Sequence, residues 1–218
     1  MSFNLKQEDV EEYVRLWNLF EINKVLDMGM SAEKLVIKNK TDILLEAILR
    51  KSRLIFLRIL KSLYNFNCND FLYLHHAVRA KDIFFVERLL KKMSLEEINK
   101  TDLITKNNAL HIATEENLQD IIVLLSKYGV AWNKGNYLKQ TPLHLLLRNC
   151  AYLEQKLLNE LQTKEINIKI KDVMGISAKD IIKSFSHDSH WYHRYPSGRT
   201  IPVPHIISRE MKRYCEDI

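Results

Sequence analysis

Turn-forming residues are scarce in this chain, which has 5 glycines and 4 prolines among 218 residues. A β-sandwich or β-barrel needs many tight turns, so this scarcity argues against both architectures. Hydrophobic residues make up 46% of the chain and charged residues 28%. That is enough apolar surface to form a core, and it excludes disorder over most of the sequence. The composition therefore favours a helical chain with short loops.

Cysteine is also scarce. Cys68, Cys150 and Cys215 are widely spaced and form no Cys-x-x-Cys motif, so neither a zinc ribbon nor a redox motif is indicated. Free thiols are typical of a reducing compartment, and we therefore expect a cytoplasmic location. No signal peptide is visible at the N-terminus, and no apolar run approaches 18 residues. We expect no membrane insertion.

The chain lacks a concentrated charge of one sign. Its 33 basic and 27 acidic residues give a net charge of +6, and only residues 50–61 are locally rich in Lys and Arg. A nucleic-acid-binding surface should be a basic stripe, so we expect no nucleic-acid partner. The motifs GxSxG, HExxH, GxxxxGK[ST] and GxGxxG are all missing from the sequence. We therefore predict no enzyme, no cofactor and no metal.

An internal repeat is present. Three similar segments each contain a histidine in the same place, and they are Leu74–Ala77, Leu110–Ala113 and Leu143–Leu146. These histidines, His75, His111 and His144, stand 36 and 33 residues apart. A second apolar segment follows the first two copies, at 85–90 and 121–125. Apolar residues recur at helical spacing in both segments, which predicts pairs of short helices that share one core when stacked.

This pattern resembles the ankyrin repeat, whose signature is Thr-Pro-Leu-His-x-Ala at a period near 33 residues. The match is most specific over residues 105–146, which contain Thr141-Pro-Leu-His144 and the stretch Gly129-Val-Ala-Trp-Asn133. Weaker copies contain Leu44 and Gly175. The resemblance implies an all-α ankyrin-repeat solenoid of about five repeats with short β-hairpin fingers. It extends over roughly residues 10–185.

We divide the chain into three parts on this basis. Residues 1–38 are a degenerate N-terminal capping repeat, residues 39–185 are ankyrin repeats, and residues 186–218 are a C-terminal cap or tail with an amphipathic helix. Thr141 is expected to cap a helix that begins at Pro142, and Gly129 to take the left-handed conformation that ends a helix. The fourth repeat has about three extra residues, which we expect near 159–166.

The resemblance also assigns roles. It implies that His75, His111 and His144 hydrogen-bond the backbone between repeats and have no metal-binding or acid–base function. It implies that partner proteins contact the fingers and the exposed side of each first helix. Carried over by position, the predicted partner-binding residues are Ile104, Thr105, Asn107, Glu115, Glu116, Tyr137, Leu138, Gln140, Arg148, Asn149, Val173, Met174 and Ile176. Several of these are apolar or aromatic, as interface anchors are.

The expected function is that of a protein–protein interaction module. It is expected to be monomeric alone and to bind another protein through its concave finger and helix surface. The bias towards Lys, Asn and Ile indicates an AT-rich genome. Together with the free cysteines, this suggests an effector-like protein that acts in the cytosol of a host cell.

Two alternatives remain open. One is an adaptor that recruits a second partner through the amphipathic helix after Pro204. The other is a metal-dependent activity in the tail. There His187, His190 and His193 stand three residues apart and could share one face of a helix, with His205 and Cys215 farther along the chain. The competing interpretation is that aromatic residues of the tail cover the exposed end of the repeat stack.

Overall fold

The computed structural model describes residue 24 and residues 43–62, 72–149, 153–184, 192–194 and 200–202. The chain divides into two compact units, residues 1–92 and 93–218. Helices dominate the described residues of both units, as the scarcity of turn formers predicts. Within the described ranges, no helix has the length and apolarity needed to cross a lipid bilayer.

The elements are short and numbered in chain order. The helices are α1 (Ile43–Leu49), α2 (Arg53–Ser62), α3 (Tyr73–Arg79), α4 (Ile83–Leu90), α5 (Leu95–Ile98), α6 (Ala109–Glu115), α7 (Gln119–Lys127), α8 (Pro142–Asn149), α9 (Gln155–Gln162) and α10 (Ala178–Ser184). Two strands, β1 (Tyr192–Arg194) and β2 (Thr200–Pro202), pair antiparallel with His193 opposite Ile201.

In the unit 1–92, α1 packs against α2 and α3, and α3 packs against α4. The Phe56 and Phe85 rings meet edge to face with centroids 4.8 Å apart, and both side chains are fully buried. Phe84 lies nearer the surface, with the guanidinium of Arg53 4.9 Å and that of Arg88 5.5 Å from its ring centroid. An aromatic core thus joins α2 to α4.

In the unit 93–218, the first helices of neighbouring repeats pack against one another, and so do the second helices. α6 packs against α8 and α8 against α10, while α7 packs against α9. The residues Leu110, Ala113, Ile122 and Leu125 are buried, as their helical spacing predicts. Because each fully buried Leu or Ile stabilises the fold by roughly 1.5–3 kcal/mol, the shared core holds these short helices together.

The start of α8 at Pro142 and the left-handed Gly129 are confirmed, whereas the Thr141 hydroxyl lies 2.8 Å from the His144 Nδ1 and its capping of α8 stays a prediction. α8 begins at Pro142, directly after Thr141, where proline's missing N–H and fixed φ suit the first helical position. Gly129 follows α7 with φ +85°, the left-handed conformation that ends many helices. At the start of α6, the Asn108 side chain accepts the His111 N–H at 3.0 Å, which caps the helix.

The extra residues of the fourth repeat lie elsewhere than predicted. α7 begins ten residues after α6 begins, whereas α9 begins thirteen residues after α8 begins. The three additional residues therefore fall between the start of α8 and the start of α9, and the prediction near 159–166 was wrong. Apolar spacing did not reveal this, because the helices on either side keep their own pattern whatever the turn length.

The paired strands β1 and β2 were not predicted for the tail. The capping repeat expected at 1–38 lies outside the described residues, apart from Lys24. The amphipathic helix expected after Pro204 lies outside them altogether.

Candidate functional site

Three loops precede the helices α6, α8 and α10, and each is organised by one polar side chain. Asp102, Asn136 and Asp172 each accept two main-chain N–H groups from the next few residues at one side-chain oxygen, at 2.6 to 3.0 Å. Satisfying these N–H groups internally holds each loop as a compact turn. We call these loops fingers 1, 2 and 3, at residues 99–108, 131–141 and 164–177.

Each finger reverses direction at one residue in the left-handed conformation. These residues are Lys106 (φ 57°), Lys139 (φ 55°) and Gly175 (φ 76°). Two of the three are lysines at a position that favours glycine sterically. Both lysines are exposed, so fingers 1 and 2 each present an ammonium group next to their tips.

Main-chain hydrogen bonds join the fingers side by side. The Tyr137 N–H donates to the Thr105 carbonyl at 2.8 Å, and the Val173 N–H donates to the Leu138 carbonyl at 3.0 Å. Finger 2 is therefore bonded to finger 1, and finger 3 is bonded to finger 2. The three tips form one row instead of three separate projections.

Large apolar side chains are exposed along this row. Leu103 and Ile104 in finger 1 are each 86% exposed, Tyr137 in finger 2 is 73% exposed, and Met174 in finger 3 is 77% exposed. Contiguous exposed apolar surface of this kind is uncommon on monomeric proteins and marks interaction sites. We name these residues, together with the less exposed apolar neighbours in the same loops, the fingertip cluster: Leu103, Ile104, Tyr137, Leu138, Val173, Met174 and Ile176.

Histidines connect neighbouring repeats beneath the fingers. The His111 ring Nε2 lies 3.0 Å from the Gln140 carbonyl, and the His144 Nε2 lies 3.2 Å from the Ile176 carbonyl. The Thr141 N–H donates to the His144 Nδ1, so Nε2 carries the ring proton and donates it to the carbonyl. The inter-repeat hydrogen bonds implied for these two histidines are confirmed.

Burial sets the charge state of His144. Loss of solvation lowers the pKa of its ring, with a smaller opposing effect from its bond to Ile176 and from the charge of Asp172. A neutral ring suits the donor and acceptor pattern of this histidine, because its Nδ1 must accept a hydrogen bond. The arrangement is structural, since a fully buried ring cannot contact a reactant.

A buried ion pair ties finger 3 to the first helix of the preceding repeat. The Arg148 guanidinium in α8 donates to the Asp172 Oδ2 at 2.8 Å, and the Asp172 side chain is fully buried. Burial alone would raise the pKa of Asp172, but the Ile176 N–H, the Arg148 guanidinium and the Met174 N–H together hold that pKa below its usual range. Asp172 therefore remains a carboxylate that shapes the finger.

The predicted partner-binding residues divide by exposure. Asn107 is buried, which contradicts its predicted place on the surface. Its N–H donates to the Asp102 carboxylate and its carbonyl accepts the Asp102 N–H, so Asn107 closes the base of finger 1. Gln140, Arg148 and Asn149 are half-buried. The remaining predicted positions are exposed: Ile104, Thr105, Glu115, Glu116, Tyr137, Leu138, Val173, Met174 and Ile176.

Leu103 and the two fingertip lysines were missed by sequence analysis. In finger 1, Asp102 lies four residues before the left-handed Lys106, whereas in finger 2 Asn136 lies three residues before the left-handed Lys139. The alignment on histidines therefore stopped at Ile104. A scan for apolar pairs within polar loops would have found Leu103.

The described residues contain no group of three or more His, Cys, Asp or Glu side chains that could hold a metal ion. The tail residues behind the metal hypothesis, His187, His190, His205 and Cys215, lie outside the described ranges. For His193 only the main chain in β1 is described. The cysteines Cys68 and Cys150 also fall outside the described ranges.

Comparison with known proteins identifies the repeat. The family model of ankyrin repeats matches residues 74–172 in three copies. The human (Homo sapiens) protein transient receptor potential cation channel subfamily A member 1 is 28% identical over 116 residues, which is 49% of this chain and 10% of that protein. The chain therefore aligns with about a tenth of the length of this relative.

A solved structure supports the fold. The crystal structure of the ankyrin repeat domain of Bcl-3, described as a unique member of the IkappaB protein family, matches with a TM-score of 0.63 and 17% sequence identity. The match covers 79% of this chain and 76% of that one. At this identity the likeness establishes the fold alone. The fold class predicted from the sequence, an all-α ankyrin-repeat solenoid, is confirmed.

Proposed function

We propose that this chain, which carries ankyrin repeats over residues 74–172, is a recognition module that binds a partner protein through its fingers. Ankyrin repeats generally mediate protein–protein interaction. The observation that carries the proposal is the fingertip cluster. It is exposed, apolar, shared by three fingers and held in one row by main-chain hydrogen bonds.

The geometry suits binding without a large ordering cost. Asp102, Asn136 and Asp172 satisfy the main-chain N–H groups of their own loops, so the fingers have a defined shape before a partner arrives. A preorganised surface loses less conformational entropy on binding than a mobile one. Tyr137 and Met174 are the central anchors, because aromatic and flexible apolar side chains supply much of the energy of protein interfaces.

The exposed side of the first helices extends this surface. Glu115 and Glu116 are exposed at the end of α6 that lies away from finger 1. At 1.5 Å per residue, they stand about 10 Å from the finger along the helix axis. Arg148, at the corresponding end of α8, is held by Asp172. We place the partner's main contact on the fingers and its secondary contacts on these helix ends.

We further propose that the protein works in the cytosol, as an effector-like protein within a host cell. The support is the odd number and wide spacing of the three cysteines and the Lys, Asn and Ile bias of the sequence. Expressing the chain with a fluorescent tag in cultured eukaryotic cells tests the location. A diffuse cytosolic signal is expected, and enrichment in a membrane-bound organelle would contradict the proposal.

Binding is tested with three immobilised baits in a eukaryotic cytosolic lysate, followed by mass spectrometry. The baits are the native chain, the fingertip variant Tyr137→Ala/Leu138→Ala/Met174→Ala, and a control variant that removes exposed apolar residues elsewhere, Leu54→Ala/Ile83→Ala/Leu95→Ala. We expect a protein retained by the native chain and the control and reduced at least about tenfold on the fingertip variant, as loss of interface anchors predicts. Equal retention on all three baits, or on none, contradicts the proposal.

A further inference from the structure

The fingers carry an unequal distribution of exposed charge. Exposed lysines occur in all three, and they are Lys106, Lys134, Lys139, Lys169 and Lys171. The single exposed acidic residue in these loops is Glu165. The net charge of +6 is spread thinly along the sequence, but folding gathers part of it around the fingertip cluster.

The other two finger acids, Asp102 and Asp172, are hydrogen-bonded within their own loops. Asp172 is fully buried, bonded to Arg148 and to two main-chain N–H groups. Asp102 accepts N–H groups from Ile104, Thr105 and Asn107 and the hydroxyl of Thr105. Asp172 is paired with a guanidinium, whereas half-buried Asp102 keeps its charge but directs both oxygens at N–H and O–H donors of its own loop. The finger surface is therefore apolar at its tips and cationic around them.

Two of the lysines have a fixed position relative to the cluster. Lys106 and Lys139 occupy the left-handed corner of fingers 1 and 2, directly after the tips that carry Ile104 and Leu138. A backbone corner held by hydrogen bonds determines where each side chain leaves the loop. Any segment lying along the row of tips passes both ammonium groups.

We propose that the partner supplies an extended segment in which acidic and apolar residues are mixed. Its apolar side chains would contact the fingertip cluster, and its carboxylates would pair with the lysines around it. The inference rests on the proposed function and specifies the partner's chemistry. Charge complementarity of this kind raises association rates and selects against basic partners. A nucleic acid fits the tips poorly, because Leu103, Ile104 and Met174 are aliphatic and cannot stack on bases as aromatic side chains do.

The test is a selection from a phage-displayed library of random 16-residue peptides. The full native chain is the bait, and peptides that also bind the fingertip variant are removed. We expect the enriched peptides to combine a net negative charge with several large apolar residues. Enrichment of neutral or basic apolar peptides would overturn the charge inference and leave the proposed function standing.

The most enriched peptide is then synthesised with a fluorescent label, and its affinity is measured by anisotropy. We expect Lys106→Glu/Lys139→Glu to weaken binding by about tenfold and raised salt to weaken it as well. The matched control is Lys51→Glu/Lys81→Glu, which changes two exposed lysines that also have positive φ but lie outside the fingers. Similar losses in both variants would overturn the inference.

Two further outcomes would overturn the proposal: tight binding of other anions, and a peptide selection that fails. Vesicles with anionic lipids and a 16-nucleotide single-stranded DNA are measured alongside the peptide. Binding of either probe as tight as that of the peptide, and dependent on Lys106 and Lys139, would replace the proposal with general anion binding. If no peptide is enriched over the fingertip variant, the extended-segment proposal fails, and the lysate experiment alone decides whether the fingers bind protein.

Discussion

At the scale of single residues, the most informative feature is the left-handed backbone at residues other than glycine. Among the described residues, five have positive φ between 52° and 57°, and they are Lys51, Lys81, Lys106, Asn117 and Lys139. Asparagine tolerates this conformation, but lysine adopts it at a steric cost. The scarcity of glycine therefore does not mean that left-handed turns are scarce. In this chain, lysine occupies most of the left-handed positions where glycine is usual.

Replacing Lys139 with glycine should stabilise the protein. Glycine adopts φ near +55° without the clash between Cβ and the following carbonyl, and we expect the free energy of unfolding to rise by about 1 kcal/mol. Urea denaturation monitored by circular dichroism measures the change. Lys139→Ala is the control, because it removes the same side chain but keeps the Cβ. An equal gain in the alanine variant would show that the strain is absent.

At the scale of elements, the repeats that begin with α6, α8 and α10 are joined to one another by histidines and by finger hydrogen bonds. His144 in α8 reaches the Ile176 carbonyl just after the tip of finger 3, and Arg148 in the same helix reaches Asp172 just before that tip. One helix thus supports both ends of the following finger tip. This support explains how a loop with several exposed apolar residues keeps a defined shape.

His144→Gln should destabilise the protein and reduce its sensitivity to acid. Burial holds the pKa of His144 below its ordinary value of about 6.5, so the unfolded chain takes up a proton first as the pH falls. Stability contributed by the neutral ring is therefore present above about pH 6.5 and is lost below it. Asp172, whose pKa is also lowered, stays ionised throughout this window.

We expect His144→Gln to lower the free energy of unfolding by about 1–3 kcal/mol at pH 7.5, because the Thr141 N–H and the Ile176 carbonyl lose their hydrogen-bond partner inside the protein. The loss should shrink at pH 5.5, where the native chain is weakened too. Thermal unfolding at both pH values measures this. Half-buried His76, whose pKa is lowered by burial and by Arg79, leaves some pH dependence in the variant. A loss at pH 5.5 as large as at pH 7.5 would contradict the interpretation.

The elements also show where prediction from sequence reaches its limit. The helix pairs, the start of α8 at Pro142 and the left-handed Gly129 follow from local spacing and were predicted correctly. The extra residues of the fourth repeat were misplaced, because the step from Thr141-Pro-Leu-His144 to the copy containing Gly175 measures the total length of a repeat and not where an insertion falls. Asn107 was misplaced because its burial depends on Asp102 closing the loop.

At the scale of the whole molecule, the two compact units have different cores. The unit 1–92 contains an aromatic core around Phe56 and Phe85, whereas the buried residues of α6 to α10 are mainly aliphatic. Repeat arrays derive their stability from contacts between neighbouring repeats, so each core is a local source of stability. Damage to one core should be seen first in the helices that surround it.

Phe85→Ala should destabilise the unit 1–92 by about 3–5 kcal/mol, the usual cost of removing a buried phenylalanine. Hydrogen exchange of the amides in α1 to α4 measures the loss of protection. Phe84→Ala is the matched control, because the neighbouring ring is only half-buried and lies between two arginines. Equal loss of protection in both variants would contradict the assignment of Phe85 to the core.

The sequence by itself determined the repeat and the helix pairs, because these depend on the local spacing of apolar residues. The histidine hydrogen bonds were implied by the family resemblance, since they join residues about thirty positions apart. Only the tertiary structure decided which finger residues face the solvent and which charges surround them. Asp102 and Lys106 are four residues apart, yet one carboxylate faces the backbone and the ammonium is exposed. That difference arises from hydrogen bonds within each folded loop and from main-chain bonds between fingers more than thirty residues apart, which composition and periodicity do not record.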